Sequence, residues 1–131
     1  RLGLSAESCP SHPAYLTIER LLRARARGSR MFAARAAGEV VGCCELAPGE
    51  GGFRLERLAV APGFRGLGLG GALLEHAGAA AAAAGGRTLE VGIVADDPAL
   101  RRWYLARGFR ACGDRRVPHL PFAVALLRAD L

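Results

Sequence analysis

The chain contains no lysine, asparagine or glutamine, so all 18 of its basic residues are arginine. Without lysine it forms no Schiff base with a carbonyl substrate and cannot carry the phosphate-binding loop that ends in Lys-Ser or Lys-Thr. Without asparagine and glutamine, no side-chain amide is present to stabilise an oxyanion. These absences leave main-chain amides, arginines and carboxylates as the main groups for binding and activating a substrate.

Aromatic residues and cysteines are also scarce. Five Phe, two Tyr and one Trp occur in 131 residues, and they are not interleaved with basic residues as in a nucleic-acid-binding module. The four cysteines, Cys9, Cys43, Cys44 and Cys112, lack C-x-x-C spacing, so we expect no metal site and predict reduced thiols. The net charge of +6 favours anionic ligands in general but does not choose among them.

Length and hydropathy predict one soluble domain over residues 1–131. No signal peptide is visible, and the alanine tract at residues 79–84 is too short and too weakly apolar to span a bilayer. We therefore expect a cytoplasmic protein that is not bound to a membrane.

Hydrophobic periodicity and turn residues predict the element order α-β-β-β-α-β-α-β-β, which is that of an α/β fold. The predicted elements are a helix over residues 11–27, two strands within 31–47 joined by a turn at Ala37-Gly38, a strand over 53–60, a helix over 68–84, a strand over 87–94, a helix over 98–107, and strands over 109–117 and 122–127.

The stretch APGFRGLGLGGALL, residues 61–74, places a glycine-rich turn between a strand and a helix. This succession directs several unpaired N–H groups and the positive end of a helix dipole at one point, where a phosphate can bind. Side chains at positions 66, 68, 70 and 71 would keep an anion from the main chain, which is a physical reason for glycine there. Arg65 would add a charge-assisted contact to a phosphate oxygen.

Two glycine patterns fit this stretch. The dinucleotide pattern G-x-G-x-x-G is matched by Gly66, Gly68 and Gly71, but there the glycines normally follow the strand directly, whereas several residues intervene here. The pattern [RQ]-x-x-G-x-[GA] is matched by Arg65, Gly68 and Gly70. One short pattern is weak evidence, so its neighbours decide between them.

The ordered set of motifs resembles the core of the GCN5-related N-acetyltransferase (GNAT) superfamily. The segments LERLAVAPGFRGLGLGGALLEHA and LEVGIVADDPALRRWYLARGFRACG carry an apolar-x-Val strand end, a Pro and an aromatic residue, the R-x-x-G-x-G loop, a long helix, a strand, and a helix with a Tyr shortly before Gly-Phe. The resemblance runs from about Met31 to the end. It implies an α+β fold with a mixed, largely antiparallel central sheet flanked by helices, whose first strand is missing or poorly formed by residues 1–8.

The resemblance implies transfer of the acetyl group of acetyl-coenzyme A to a primary amine by direct attack, without a metal. It assigns the pyrophosphate to the loop of Arg65, Gly66, Leu67, Gly68, Leu69, Gly70 and Gly71. Main-chain groups of Leu58, Ala59 and Val60 would hold the pantetheine arm and polarise the thioester carbonyl. Many relatives have Asn where this chain has Asp97, which puts any hydrogen bond donated by that amide in doubt.

Tyr104 matches the position of the family tyrosine that donates a proton to the leaving thiolate. The alternative is packing, because a tyrosine in an amphipathic helix is often part of a core. Arg101 or Arg102 on the same helix would contact the coenzyme or face solvent. Cys112 as a nucleophile for a covalent acetyl intermediate is disfavoured against a small buried residue in a strand.

An attacking amine must be neutral, so a base is expected. Glu56 is the candidate, since strand alternation would put its side chain on the same face as Leu58 and Val60. An exposed glutamate or an ion pair with a nearby arginine is the alternative, and Glu90 is a second candidate base. His119, between two prolines, would line the acceptor pocket or face solvent.

Two other functions stay open. One is a non-catalytic sensor or scaffold of the same fold that binds coenzyme A. The other is a nucleic-acid-binding protein using the arginines of the first helix, which the missing recognition motifs disfavour. The acceptor is not readable, because acceptor pockets in this superfamily are built from variable loops. Oligomeric state is also open, and a homodimer formed through the last strands is compatible with the sequence.

Overall fold

The computed structural model describes residues 28–116 and 121–131, with the side chains of residues 115 and 116 left aside. The predicted first helix and the predicted strand within residues 1–8 lie outside this part of the chain. The described elements are β1 (Arg30–Ala36), β2 (Glu39–Gly49), β3 (Gly52–Val60), a short 3₁₀ helix (Pro62–Phe64), α1 (Leu69–Ala83), β4 (Thr88–Val94), α2 (Pro98–Leu105), β5 (Arg110–Arg116) and β6 (Ala123–Asp130). Their order agrees with the prediction.

The six described strands form one sheet in the order β1-β2-β3-β4-β6-β5. Every neighbouring pair is antiparallel except β3 and β4, which are parallel. This confirms the expected mixed, largely antiparallel sheet. The parallel pair is connected through α1, as a parallel connection requires.

The turn between β1 and β2 forms where the sequence predicts it. Ala37 and Gly38 have φ angles of 52° and 81°, and two successive positive φ values define the type I′ turn that suits a two-residue hairpin. The strands on either side pair antiparallel, with Ala36 opposite Glu39, and their register shifts between Ala34 and Arg35.

The parallel strands β3 and β4 pair over a short distance only. Their paired residues are Phe53 with Leu89, Arg54 with Glu90, and Leu55 with Val91. Beyond these three pairs β3 continues to Val60 paired with β2 alone, so its other edge has no strand partner among the described residues. The two strands therefore diverge towards their carboxyl ends, the side of the sheet on which the glycine-rich stretch follows β3.

A β-bulge interrupts the pairing of β2 with β3. Cys43 lies opposite Ala59 and Glu45 opposite Glu56, so two residues of β3 face one residue of β2. The first of the two, Arg57, has a φ of 55°. Such an insertion bends the strand and shifts its alternation by one residue.

The bulge overturns one prediction. Simple alternation places Glu56 on the same face as Leu58 and Val60, whereas the observed register puts Glu56 on the face that holds Ala59. Leu58 and Val60 pack against the main core, and Ala59 packs against Cys43 on the opposite face. The error arises because the extra residue, Arg57, was not foreseen.

The main core lies on one face of the sheet, under both described helices. The alanine-rich sequence of α1 lets this helix approach the strands closely, since Ala77 and Ala81 are fully buried. The cluster contains residues from β2, β3, β4, β6, α1, α2 and the start of β5: Cys44, Leu46, Leu55, Leu73, Leu74, Ala77, Ala81, Leu89, Val91, Ile93, Tyr104, Phe109, Ala125 and Leu127.

The cysteines differ in state. Cys44, buried, and Cys112, exposed, are free thiols, whereas Cys43 is disulfide-bonded. The prediction of reduced thiols is therefore wrong at Cys43. The expectation that Cys112 is buried is also wrong, because it lies on the exposed part of β5.

Candidate functional site

A groove of about 660 Å³ lies between the end of β3, the glycine-rich loop and α2. Nine of the ten residues predicted to bind a cofactor line it, namely Leu58, Ala59, Val60, Arg65, Gly66, Gly68, Leu69, Gly70 and Gly71. The tenth, Leu67, does not line the groove, and it is 69% exposed. The remaining wall comes from Phe64 of the 3₁₀ helix and from α2 and its flanks, through Asp97, Ala99, Leu100, Trp103 and Arg107.

The loop before α1 presents a series of unpaired main-chain amides. The first hydrogen bond of the helix runs from the Ala72 N–H to the Gly68 carbonyl oxygen, at 3.0 Å. Within residues 28–116 and 121–131, the N–H groups of residues 66–71 donate to no backbone carbonyl. At the positive end of a 15-residue helix, such amides are suited to bind an anion.

Backbone conformation explains two of the glycines in this loop. Gly66 and Gly68 both have a φ of 81°, in the left-handed region that other residues rarely adopt, and a Cβ there would meet no atom within 4 Å. At Gly70 and Gly71 a Cβ would lie in ordinary contact, 3.5 Å from the Trp103 ring and 3.6 Å from the Arg107 guanidinium. Neither backbone conformation nor a clash with the protein therefore requires glycine at these last two positions.

The Arg65 side chain turns back towards the end of β3. Its Nε donates a hydrogen bond to the carbonyl oxygen of Val60 at 3.1 Å. This bond leaves the two terminal nitrogens of the guanidinium available to other acceptors. Arg65 thus joins the strand end and the loop while it holds a positive charge beside the groove.

A second arginine at the groove was not predicted. The Cζ atom of Arg107 lies 3.8 Å from the centroid of the Trp103 ring, and its Nη1 donates to the Trp103 carbonyl oxygen at 3.0 Å. Neither Arg101 nor Arg102 lines the groove. Trp103 lies on α2 and Arg107 follows four residues later, just past the end of the helix, and this spacing is the signal that would have identified the pair.

Asp97 caps the helix α2. Its Oδ1 accepts a hydrogen bond from the Leu100 N–H at 3.0 Å. An asparagine would accept the same bond, and the carboxylate adds a favourable interaction with the positive end of the helix. The side chain is thus used as an acceptor, and replacing the amide by a carboxylate is compatible with this role.

Tyr104 is buried, with 5% of its surface exposed, and it does not line the groove. Its ring makes edge-to-face contacts with Trp103 and Phe109, at centroid distances of 4.9 and 5.2 Å. Burial raises the pKa of Tyr104 to about 12, and an electrostatic interaction with the neighbouring Cys44 adds to the rise. The hydroxyl therefore keeps its proton at neutral pH.

Glu56 also lies outside the groove lining. Its carboxylate forms ion pairs with Arg57, at 3.1 Å, and with Arg54, at 3.5 Å. Arg57 binds a second carboxylate, the buried Glu45, at 2.6 Å, and the Nε atom of Arg57 is buried without a partner among the described residues. Glu45 was not predicted as part of this cluster, because a single glutamate inside an apolar strand forms no recognisable pattern.

The two remaining candidate residues are not brought to the groove. Glu90 forms an ion pair with Arg128 at 2.8 Å, on the sheet face opposite to the helices. His119 lies outside the described residues. In the described part of the chain, no three His, Cys, Asp or Glu side chains are placed to hold a metal ion.

A sequence model described as an acetyltransferase (GNAT) domain matches residues 27–111, well over half of the chain. The chain belongs to the GNAT family. No curated protein sequence matches this GNAT domain significantly. The match to the family model confirms the resemblance drawn from the motifs.

Solved structures support the same GNAT fold. A GNAT family acetyltransferase from Elizabethkingia anophelis with acetyl-CoA bound superimposes with a TM-score of 0.77 at 22% identity, covering 88% of this chain and 84% of that one. The ribosomal-protein-S18-alanine N-acetyltransferase from Escherichia coli gives 0.77 at 20% identity, with 91% and 79% covered. The IAA acetyltransferase from Bacillus cereus gives 0.73 at 22% identity, with 88% and 85% covered. At these identities the likeness establishes the fold alone.

The groove suits a coenzyme A thioester on chemical grounds. The N–H groups of residues 66–71, which donate to no backbone carbonyl in the described part of the chain, and the Arg65 guanidinium are donors suited to the oxygens of a diphosphate. The unpaired edge of β3 offers main-chain donors and acceptors to the amide groups of a pantetheine arm. No helix in the described part of the GNAT domain is long and apolar enough to span a membrane.

Proposed function

We propose that this GNAT domain transfers an acetyl group from acetyl-coenzyme A to a primary amine. The observation that carries the proposal is the run of unpaired amides at residues 66–71, which faces a groove beside the open edge of β3. In this proposal, the amides and Arg65 bind the diphosphate of the coenzyme. Leu67 contributes through its main-chain amide, because its side chain points away from the groove lining.

The end of β3 would position the reacting thioester. Because β3 has no described strand partner on the β4 side beyond Leu55, the main-chain groups of residues 58–60 on that edge would bind the pantetheine arm, with the Val60 carbonyl oxygen already bonded to Arg65. An N–H group in this segment would polarise the thioester carbonyl and stabilise the negative charge that develops on its oxygen. The bulge at Arg57 sets the direction of these groups, since it turns the strand just before them.

Tyr104 is the proposed donor to the leaving sulfur. With a pKa of about 12 the phenol is fully protonated at neutral pH. A thiolate is a weaker base than this phenolate, since thiols have a pKa of roughly 8.5. Tyr104 would therefore act first as a hydrogen-bond donor that stabilises the departing thiolate. Complete transfer of its proton to the sulfur would be unfavourable, because the pKa of the phenol is higher than that of the thiol.

Glu56 is the proposed base for the incoming amine. Its carboxylate is about one third exposed, and Arg54 and Arg57 hold it in place. Since it lies on the sheet face opposite to the helices, the proposal brings the acceptor in from that face. The coenzyme and the acceptor would then meet where β3 and β4 diverge.

The first test is calorimetry with coenzyme A. The unmodified protein is expected to bind at micromolar strength, and Arg65→Glu is expected to weaken binding more than 30-fold because it places a like charge beside the diphosphate. Arg102→Glu is the matched control, since Arg102 is exposed on α2 and does not line the groove. Absence of binding, or equal weakening by both variants, would contradict the proposal.

One observation favours the non-catalytic alternative, in which the domain binds coenzyme A as a sensor or scaffold. Neither Tyr104 nor Glu56 lines the groove. A free-thiol assay over a panel of amines separates the two functions, because a sensor binds acetyl-coenzyme A without turnover. If the domain is an enzyme, Tyr104→Phe should lower kcat while coenzyme affinity stays within twofold.

The acceptor, the cytoplasmic location and a homodimer stay predictions. The nucleic-acid alternative depends on the arginines of the predicted helix over residues 11–27, which lie outside the described residues. The amine panel is thus the experiment that identifies the acceptor class.

A further inference from the structure

The two arginines at the groove are held differently from the ion-paired arginines elsewhere in the described chain. Arg54, Arg57, Arg110 and Arg128 each bind a carboxylate. Arg65 and Arg107 instead donate to main-chain carbonyl oxygens, and no carboxylate within residues 28–116 and 121–131 lies within ion-pair distance of either. Their positive charges are therefore not neutralised by a carboxylate in the described part of the chain.

Arg107 has its unused donors directed towards the first turn of α1. Nη1 is bonded to the Trp103 carbonyl oxygen, while Nε and Nη2 are the atoms that lie 3.6 Å from the position of a Cβ on Gly71. The guanidinium also lies over the Trp103 ring, with its Cζ atom 3.8 Å from the ring centroid. A planar cation fixed in this way keeps two parallel N–H groups for a phosphate oxygen pair and loses little side-chain entropy on binding.

Arg107 also stands where two cavities meet. It lines the groove described above and a second cavity of about 630 Å³ on the far side of the loop, and Gly68 and Gly71 line both as well. A ligand that extends from the groove into the second cavity passes this guanidinium. An extended ligand with more than one phosphate group would thus meet Arg65 at the loop and Arg107 beyond it.

We propose that Arg107 is a phosphate-binding residue that helps to select the coenzyme, separate from the loop amides and Arg65. This inference rests on the proposed function, because the ligand it takes is the coenzyme A thioester. The group it binds is a phosphate, either in the diphosphate or on the ribose. Trp103 is the positioning residue that holds the guanidinium in the groove.

Calorimetry with coenzyme A and with 3′-dephospho-coenzyme A tests the inference. Arg107→Gln is expected to weaken coenzyme A binding at least tenfold, whereas Arg102→Gln, on the exposed side of the same helix, leaves it within twofold. If the loss is confined to coenzyme A, Arg107 binds the ribose phosphate. If both ligands lose affinity equally, it binds the diphosphate. If neither does, the inference is wrong.

Two further measurements separate binding from folding. Arg107→Lys keeps the charge but loses the paired donors, so it should restore part of the affinity lost in Arg107→Gln and keep the ligand-free melting temperature. The slope of log affinity against log salt concentration should become shallower in Arg107→Gln. If the unmodified protein does not bind coenzyme A, the proposed function fails. If it binds, and both Arg107→Lys and Arg107→Gln bind as tightly as the unmodified protein, only this inference fails.

Discussion

Gly68 is the residue at which the phosphate-binding loop is most open to a decisive test. It caps α1 with φ 81° and ψ 8°, and a Cβ at this position would meet no atom within 4 Å. Alanine at position 68 is therefore disfavoured by the backbone conformation alone, because its methyl group would not clash with any neighbour. An L-residue in the left-handed region costs about 1–2 kcal/mol, so Gly68→Ala should lower the melting temperature by roughly 4–8 °C.

The same substitution should reduce coenzyme A affinity. If residue 68 keeps its positive φ, the new methyl group lies beside the unpaired amides; if it relaxes to a negative φ, the amides of residues 69–71 no longer converge. Either change should weaken binding at least tenfold, equal to about 1.4 kcal/mol. Calorimetry gives the affinity and circular dichroism the melting temperature.

Gly63→Ala provides the matched control. Gly63 lies in the same loop, its φ is outside the positive range, and a Cβ there would also meet no atom within 4 Å. It should change neither quantity measurably. If Gly68→Ala behaves like Gly63→Ala in both assays, the loop does not bind the coenzyme through its main chain and the reasoning is refuted.

Three further predictions concern stability. Glu45→Gln should lower the free energy of unfolding by about 3 kcal/mol in denaturant titrations, because it leaves Arg57 short of its buried partner, and an unchanged midpoint would contradict this. Gly52→Ala should cost about 3 kcal/mol, because its methyl group would press on the main chain of β4 where the parallel pairing starts, and a native melting temperature would refute that packing. Burial raises the pKa values of Tyr104 and Cys44 to about 12, so at alkaline pH both groups stay neutral in the folded protein but ionise in the unfolded chain. The free energy of unfolding should therefore fall as the pH rises above about 9. In a Tyr104→Phe variant this fall with pH should be shallower.

Local patterns were enough to predict most of the fold. The hairpin at Ala37-Gly38, the helix that begins at Leu69 and the strand that ends at Val60 each carry a turn or capping signal in the adjacent residues. The glycine loop was predictable for the same reason, since positive φ angles at Gly66 and Gly68 select glycine directly.

The bulge at Arg57 could not be predicted, because nothing near it is glycine and its left-handed conformation is stabilised by pairing with β2 and by Glu45. One unforeseen residue was enough to turn Glu56 to the other face. The place of Arg107 depends on how α2 packs beside α1, which is a tertiary contact. The sequence was therefore sufficient to identify the glycine-rich loop, but not Trp103 and Arg107, which line the opposite side of the groove.

The short seam between β3 and β4 divides the sheet into two three-stranded halves, β1-β2-β3 and β4-β6-β5. Few main-chain bonds cross the seam, and Leu55 and Val91, both buried, are the last pair before the two strands separate. In the proposed function the acyl group lies beyond this pair, so substitutions at Leu55 or Val91 are expected to alter which acyl thioesters fit. Because the anion-binding turn at residues 65–71 lies apart from the seam, acyl preference and coenzyme binding should then change independently.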